Sequence, residues 1–333
     1  MTASVHPSSI HGLVSRSDGK PLVIALLNNM GDAALETTET QFRELLDKAG
    51  ERFNVRLRLF SFPELVRGEV GRRYVAEHYE PIDTLWSGEF DGLIVTGAEP
   101  RTPSLREEVY WPSLARLVDW AADSGTPTVW SCLAAHAAVL HLDGVERRRL
   151  GEKISGVFRC EKTCAHPLTS GLPSSWRIPH SRLNTLDAER LAVAGYEILS
   201  LSRDAGADAF VLERGAPFVF YQGHPEYDAG ALFREYKRDV GRFLSGTMER
   251  YPEMPQGYFD DDSARAFTAF RARVERQRSR ALLEEFPGCS GSVQPAHVWH
   301  DVSVRLYANW LEWVVARRHS YMKGGSLATL GTE

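Results

Sequence analysis

Cysteine is scarce in this chain: four among 333 residues, at positions 132, 160, 164 and 289. So few thiols, so irregularly spaced, exclude a secreted fold held by a disulfide framework. No window approaches the roughly 18 apolar residues of a membrane span. The polar start from Met1 to Lys20 lacks the apolar core of a signal peptide. Net charge is only −5, from 39 basic and 44 acidic side chains, which removes any electrostatic case for a nucleic-acid or membrane partner. The glycines form neither a dinucleotide fingerprint nor a phosphate loop. These absences leave a cytoplasmic protein with a flexible N-terminal arm over 1–20, small-molecule partners, and at most a second copy of itself as a homodimer.

What is present is an alternation of strands and helices. Leu22 to Leu27 is a continuous apolar run, suited to a strand covered on both faces. A helical pattern follows through Leu35, Phe42, Leu45 and Leu46, then the alternating strand Val55 to Phe60. The charged span Pro63 to Trp86 reads as a loop with helical pieces. Phe90 to Val95 is a further strand, helix formers run from Leu105 to Asp123, and Pro127 to Ser131 is a strand leading into a helix that ends near Leu142. Such alternation predicts an α/β fold with a doubly wound, mostly parallel sheet. Ligands of these sheets bind outside the carboxyl ends of the strands, where Asn28 to Asp32, Thr96 to Arg101 and Cys132 would converge.

The second half is less regular. Ile154 to Phe158 reads as a strand and Pro167 to Arg182 as a Pro/Ser loop. Tyr196–Leu201, Ala209–Glu213 and Pro217–Tyr221 look like a meander of short strands. Helices are expected from Ala229 to Leu244, over Asp262 to Glu285, and from Val302 to Arg318. One α/β domain over 21–320 and a flexible tail over 321–333 account for the whole.

Cys132 ends the strand and opens an alanine-rich helix, so its thiol would meet backbone N–H groups at a helix N-terminus, an environment that favours a nucleophilic thiolate. A cysteine nucleophile wants an imidazole, and the imidazole wants a carboxylate to fix its tautomer. His224-Pro225-Glu226, at the end of the strand that finishes with Tyr221, offers both. His136, one turn after Cys132, is either a neighbour of the thiol or a core histidine. Cys160, Cys164 and His166 hint at a metal site but lack a fourth ligand and a zinc spacing, so no metal is expected. In Pro179-His180-Ser181-Arg182, the hydroxyl of Ser181 and the bidentate fork of Arg182 would suit a small amino-acid or acyl substrate.

In order along the chain, Phe90 to Gly97 (FDGLIVTG), Tyr110-Trp111-Pro112, Glu152 to Val157, Pro179 to Arg182, Gly223 to Asp228 and Asn309-Trp310-Leu311 resemble the homoserine O-acyltransferases, with looser agreement at Glu36 to Phe42. These succinyl- and acetyltransferases of methionine biosynthesis share the class I glutamine-amidotransferase fold. The resemblance implies Cys132 as nucleophile, His224 as base and Glu226 as its partner. It further implies that Lys153 and Ser181 contact substrate and that Arg238 helps hold the amino acid's carboxylate.

The chain also departs from that pattern. Met30-Gly31-Asp32-Ala33-Ala34 replaces a Met-Pro loop followed by lysines, and Leu133-Ala134-Ala135-His136 replaces the Trp-Gly/Ala-x-Gln that usually follows the cysteine. Arg101 stands where Gly marks succinyl and Glu marks acetyl donors, and a helical insertion lies near 262–293. The reading that follows is a ping-pong transfer from succinyl-CoA or acetyl-CoA to the hydroxyl of homoserine, with no bound cofactor. Backbone N–H groups of Leu133 and Ala98 would hold the oxyanion. Arg101 would either pair with the distal carboxylate of a succinyl group or restrict the pocket to acetyl by its bulk, and the first is preferred because an unpaired cation in a closed acyl pocket is costly. Serine as acceptor, a glutaminase or cysteine hydrolase on the same scaffold, and a non-catalytic binding protein are the alternatives.

Overall fold

The computed structural model of the chain describes residues 20–288 and 297–327. The arm expected over 1–20 falls outside the described residues except for Lys20, as do Cys289, the end of the insertion and residues 328–333. Among the described residues nine strands form one sheet, and its two halves are built differently. The first half contains β1 (Leu22–Leu27), β2 (Val55–Phe60), β3 (Gly92–Val95) and β4 (Thr128–Ser131). The second contains β5 (Arg148–Lys162), β6 (Ser175–Thr185), β7 (Glu197–Ser202), β8 (Gly206–Arg214) and β9 (Ala216–Tyr221). The order across the sheet is β2-β1-β3-β4-β9-β8-β7-β5-β6. Pairing is parallel from β2 to β9 and antiparallel from β9 to β6.

The parallel strands need helical crossovers. These are α1 (Leu35–Ala49), α2 (Glu69–His78) with α3 (Ile82–Ser87), and α4 (Trp111–Ser124); α5 (Leu133–Asp143) leaves β4, and α6 (Ala188–Val193) precedes β7. The chain ends through α7 (Ala231–Leu244), α8 (Asp261–Arg276) and α9 (His300–Leu327), the last running on into the segment expected as a tail. Side chains of β1 alternate between two cores. Leu22, Ile24 and Leu26 join Phe42 of α1 and Trp310 of α9 on one face, while Ala25 and Leu27 join Leu117 of α4 and Ala138 of α5 on the other. That double burial is why the first strand reads as an unbroken apolar run. No helix among the described residues is long and apolar enough to cross a membrane.

One expectation needs correcting. Pro167 to Arg182 is a loop only in its first part, because residues 175–182 belong to β6, the outermost strand. Trp176, Ile178, His180 and Arg182 point inward from it and are buried. The alternation was masked because two of those inward residues are polar, so an apolar count misses the period of two. Pro179 is tolerated because an edge strand need not donate on its outer side, and its carbonyl accepts the His224 N–H at 2.8 Å. The strand expected at Ile154 to Phe158 likewise extends to the whole of β5, paired along β6 with a register shift between Arg149 and Ile154. The insertion packs as a helical cap: Phe267, Phe270 and Val274 of α8 and Phe286 form a separate core with Tyr236, Val240 and Phe243 of α7.

Candidate active site

Cys132 stands between β4 and α5 with φ 50° and ψ −108°, the one non-glycine residue with positive φ among the described residues. A non-glycine residue in this region is strained, and such strain persists where surrounding contacts over-determine it. Here the Cys132 N–H donates to the Tyr221 carbonyl at 2.7 Å, and the Cys132 carbonyl accepts the His136 N–H at 3.2 Å. No side chain caps α5, so its first N–H groups remain available to a developing anion. Gly97 leaves room for this: a Cβ there would lie 2.6 Å from Leu133 Cβ and 3.1 Å from Leu133 N. The Thr96-Gly97-Ala98 loop therefore sits directly over the start of α5, with Ala98 and Leu133 both half-buried against the core.

His224 and Glu226 come off the end of β9. The His224 Nδ1 donates to Glu226 Oε1 at 2.8 Å, and Ser131 Oγ donates to the same oxygen at 3.1 Å. Glu226 Oε2 is buried with no hydrogen-bond partner among the described residues. The contact is made across a turn at Pro225 rather than along an extended strand. Burial would depress the imidazole pKa, but the Glu226 carboxylate and the Cys132 sulfur, which lies within hydrogen-bonding reach, hold it well above the ordinary histidine value. Glu226 and Cys132 thus both favour the protonated form of His224. Cysteine, imidazole and carboxylate occupy the carboxyl ends of two adjacent parallel strands, β4 and β9.

A second polar group lies against the first. Lys153 of β5 donates to Asp239 Oδ2 at 2.8 Å and to Glu235 Oε2 at 3.4 Å. Ser181 of β6 donates to Glu235 Oε2, and Arg238 Nε donates to Asp239 Oδ1 at 2.9 Å. Burial opposes ionisation of Glu235 and Asp239, yet Lys153 and Arg238 bring both carboxyls below their usual range. The Arg238 side chain keeps 43% of its surface exposed, so its guanidinium can still reach a ligand. Lys153, Ser181 and Arg238 are thus gathered around two acidic residues of α7 that sequence reading did not single out. Their i, i+4 spacing, which puts both on one helix face, was the available signal.

Other candidates lie elsewhere. Arg182 turns inward from β6, buried, with its guanidinium donating to the carbonyls of Asn184 and Ala205. Arg101 is exposed on its loop; its N–H donates to Glu108 Oε1 at 2.6 Å and its guanidinium donates to the Val66 carbonyl at 3.2 Å. It is not enclosed in an acyl pocket, so the argument from a costly buried cation does not apply to it. His136 is a core histidine held by Gln222 Oε1 at 3.0 Å; burial, helped by Arg182, takes its pKa down to about 3.

Cys160, Cys164 and His166 do not gather. Cys164 lies 3.4 Å from the Ile198 carbonyl and His166 packs on Trp313. Cys160 instead meets His180 and Asp208, all buried, with potential ligand atoms within 4.8 Å of one another. This set does not fit a metal. His180 Nδ1 accepts from Arg182 Nε at 3.5 Å, so the ring proton resides on Nε2, facing Asp208 Oδ1 at 3.3 Å; a neutral imidazole has only one free lone pair to give.

Comparison with known proteins identifies the family of the chain. The family model described as homoserine O-succinyltransferase matches residues 11–321. Proteins named homoserine O-succinyltransferase from Rhodopseudomonas palustris and Methylorubrum extorquens are 48% and 46% identical, over 86% and 89% of this chain and 86% and 88% of theirs. Among solved structures, a glutamine amidotransferase from Thermotoga maritima superimposes with a TM-score of 0.50 at 17% identity, covering 89% of this chain and 99% of that one, a likeness of fold alone. The strand-to-helix cysteine and its His–Glu partners sit in an α/β scaffold of the amidotransferase kind, within a sequence that matches throughout: the chain belongs to the homoserine O-succinyltransferase family.

Proposed function

We propose that the protein transfers a succinyl group from succinyl-CoA to the hydroxyl of homoserine by double displacement. One observation carries the reading: a Cys132–His224–Glu226 constellation, with His224 Nδ1 2.8 Å from Glu226, lies beside the Lys153–Ser181–Glu235–Arg238 cluster. The Cys132 sulfur attacks the thioester carbonyl while His224 holds the proton. The new S–acyl bond forms, the C–S bond to CoA breaks, and CoA leaves with the proton from His224. Neutral His224 then takes the proton of the homoserine hydroxyl as its oxygen attacks the acyl carbon. The bond to Cys132 breaks, and thiolate and imidazolium are restored together.

Glu226 orients the imidazole and stabilises its charged form. The N–H groups of Leu133 and Ala98 hold the oxyanion, each worth about 2.7–4 kcal/mol by analogy with other acyl transfers. Arg238 takes the acceptor's carboxylate, with Lys153 and Ser181 completing that end. Arg182 supports β6 from behind rather than meeting substrate. The relatives' names support succinyl as the group transferred, and Arg101, exposed beside the Ala98 loop, is the residue to meet its distal carboxylate.

Mass spectrometry of the protein mixed with succinyl-CoA or acetyl-CoA, without acceptor, tests the proposal. A succinyl adduct on Cys132 is expected, and an acetyl adduct alone would reassign the donor. No adduct with either, together with glutamine turnover, would favour the cysteine-hydrolase reading. Arg101→Ala should raise KM for succinyl-CoA far more than for acetyl-CoA; equal changes would remove Arg101 from the donor site.

A further inference from the structure

Tyr227 directly follows the His224-Pro225-Glu226 turn and has no part in the chemistry above, yet it joins the two polar groups of the site. Its ring lies parallel to the His224 imidazole, with centroids 4.1 Å apart and an interplanar angle of 16°. Its hydroxyl donates to Glu235 Oε1 at 2.7 Å, and the other oxygen of that carboxylate accepts from Ser181 and Lys153. The backbone of Tyr227 is anchored independently. Its carbonyl accepts from Trp299 Nε1 at 2.7 Å and from His297 Nε2 at 3.0 Å, and its N–H donates to the His224 carbonyl at 3.2 Å.

Two constraints therefore set the imidazole. Glu226 fixes it in the ring plane through Nδ1, and Tyr227 fixes the tilt of that plane from its face. The second constraint is tied to the cluster read here as the acceptor site. A ligand that moves Glu235 or Ser181 must move the phenol hydroxyl, and the phenol can answer only by tilting against the imidazole.

We propose that Tyr227 is a positioning residue that couples occupancy of the Lys153–Ser181–Glu235–Arg238 cluster to the orientation of His224 in the second half-reaction. The inference rests on the reading of His224 as the base and of that cluster as the acceptor site. It assigns Tyr227 a task in acyl transfer to the acceptor and none in forming the acyl-enzyme, where the cluster is empty.

Tyr227→Phe tests it, because the stacked ring stays while the link to Glu235 is cut. In the full-length protein, CoA release from succinyl-CoA without acceptor should stay within about twofold of wild type. Decay of the Cys132 acyl-enzyme on adding homoserine should slow roughly 10–100-fold, the scale of a small misplacement of a reacting group. Ser181→Ala added to Tyr227→Phe should cost less than the product of the single effects, since both act through one carboxylate.

Equal slowing of both half-reactions, no slowing of either, or full additivity would overturn the proposal. Should Tyr227→Phe fail to fold, Tyr227→His, which also keeps a flat ring and removes the phenol hydroxyl, must show the same one-sided loss or the proposal fails. A wild-type protein that forms no adduct with either acyl-CoA would instead remove the underlying reading, a result distinct from all of these.

Discussion

The two halves of the sheet contribute different things. Among β1 to β4 every connection returns through a helix, so their carboxyl ends line up on one rim. Strand β9 arrives from a hairpin with β8 but runs parallel to β4, and so brings His224 there beside Cys132. In the antiparallel half, strands run in both directions and no common rim exists. Lys153 of β5 and Ser181 of β6 reach the site from mid-strand, meeting α7 rather than a strand end. The parallel half is thus suited to placing reacting atoms by topology, and the antiparallel half to supplying a wall whose composition can change without disturbing them. Variants in the first should abolish chemistry, and variants in the second should alter which acceptor is used.

The largest effect expected is at the elbow. Cys132→Ala should lower kcat/KM on the order of 10⁴-fold or more and leave no acyl adduct in the mass spectrum. Glu226→Gln should lower kcat by roughly 10²–10⁴-fold. It should also change the dependence of stability on pH. Glu226 helps raise His224 above its unfolded value, so its contribution is full below about pH 6.5 and is lost as pH rises through the folded value. Melting curves of the two proteins should therefore differ most near pH 6.5 and converge as pH rises.

Gly97→Ala puts a methyl group against Leu133. It should cost up to roughly 10²–10³-fold in kcat, the scale of one oxyanion donor, with KM nearly unchanged. Lys153→Met, in the antiparallel wall, should raise KM for the acceptor roughly tenfold, as loss of a charge-assisted hydrogen bond does. Acylation by succinyl-CoA should continue, and a matching loss there would erase the distinction between the halves.

The smallest effect lies behind the elbow, at His136. Its depressed pKa of about 3 means that the unfolded chain binds a proton the folded chain refuses as pH falls below about 6.5. Stability should fall by at most about 1.4 kcal/mol per pH unit across that window. His136→Gln, still able to pair with Gln222, should flatten the acid limb in urea titrations at pH 7 and pH 5.

The parallel half was readable because burial on both faces writes long apolar runs into Leu22–Leu27 and Gly92–Val95, and because a cysteine closing such a run must sit at a turn. The antiparallel half was not. β6 hides its period behind His180 and Arg182, whose burial depends on partners in other strands and at Ala205. Arg101 and Arg182 show the same limit from the other side. Both are candidate binders by sequence, which could not say that Arg182 would be buried in the wall while Arg101 stays on the surface.

By itself the sequence determined the alternation of strands and helices in the parallel half, the elbow at Cys132, and the proximity of His224 to Glu226, because each rests on residues adjacent in the chain or on local periodicity. Tertiary structure alone decided that Glu235 and Asp239 collect Lys153, Ser181 and Arg238, and that Tyr227 links this cluster to the imidazole. Those contacts join β5, β6, α7 and the turn after β9 across separations of more than 50 residues for Lys153 and Ser181. They exist only once hydrophobic burial has closed the sheet and excluded water, because in the open chain water would solvate each charge separately.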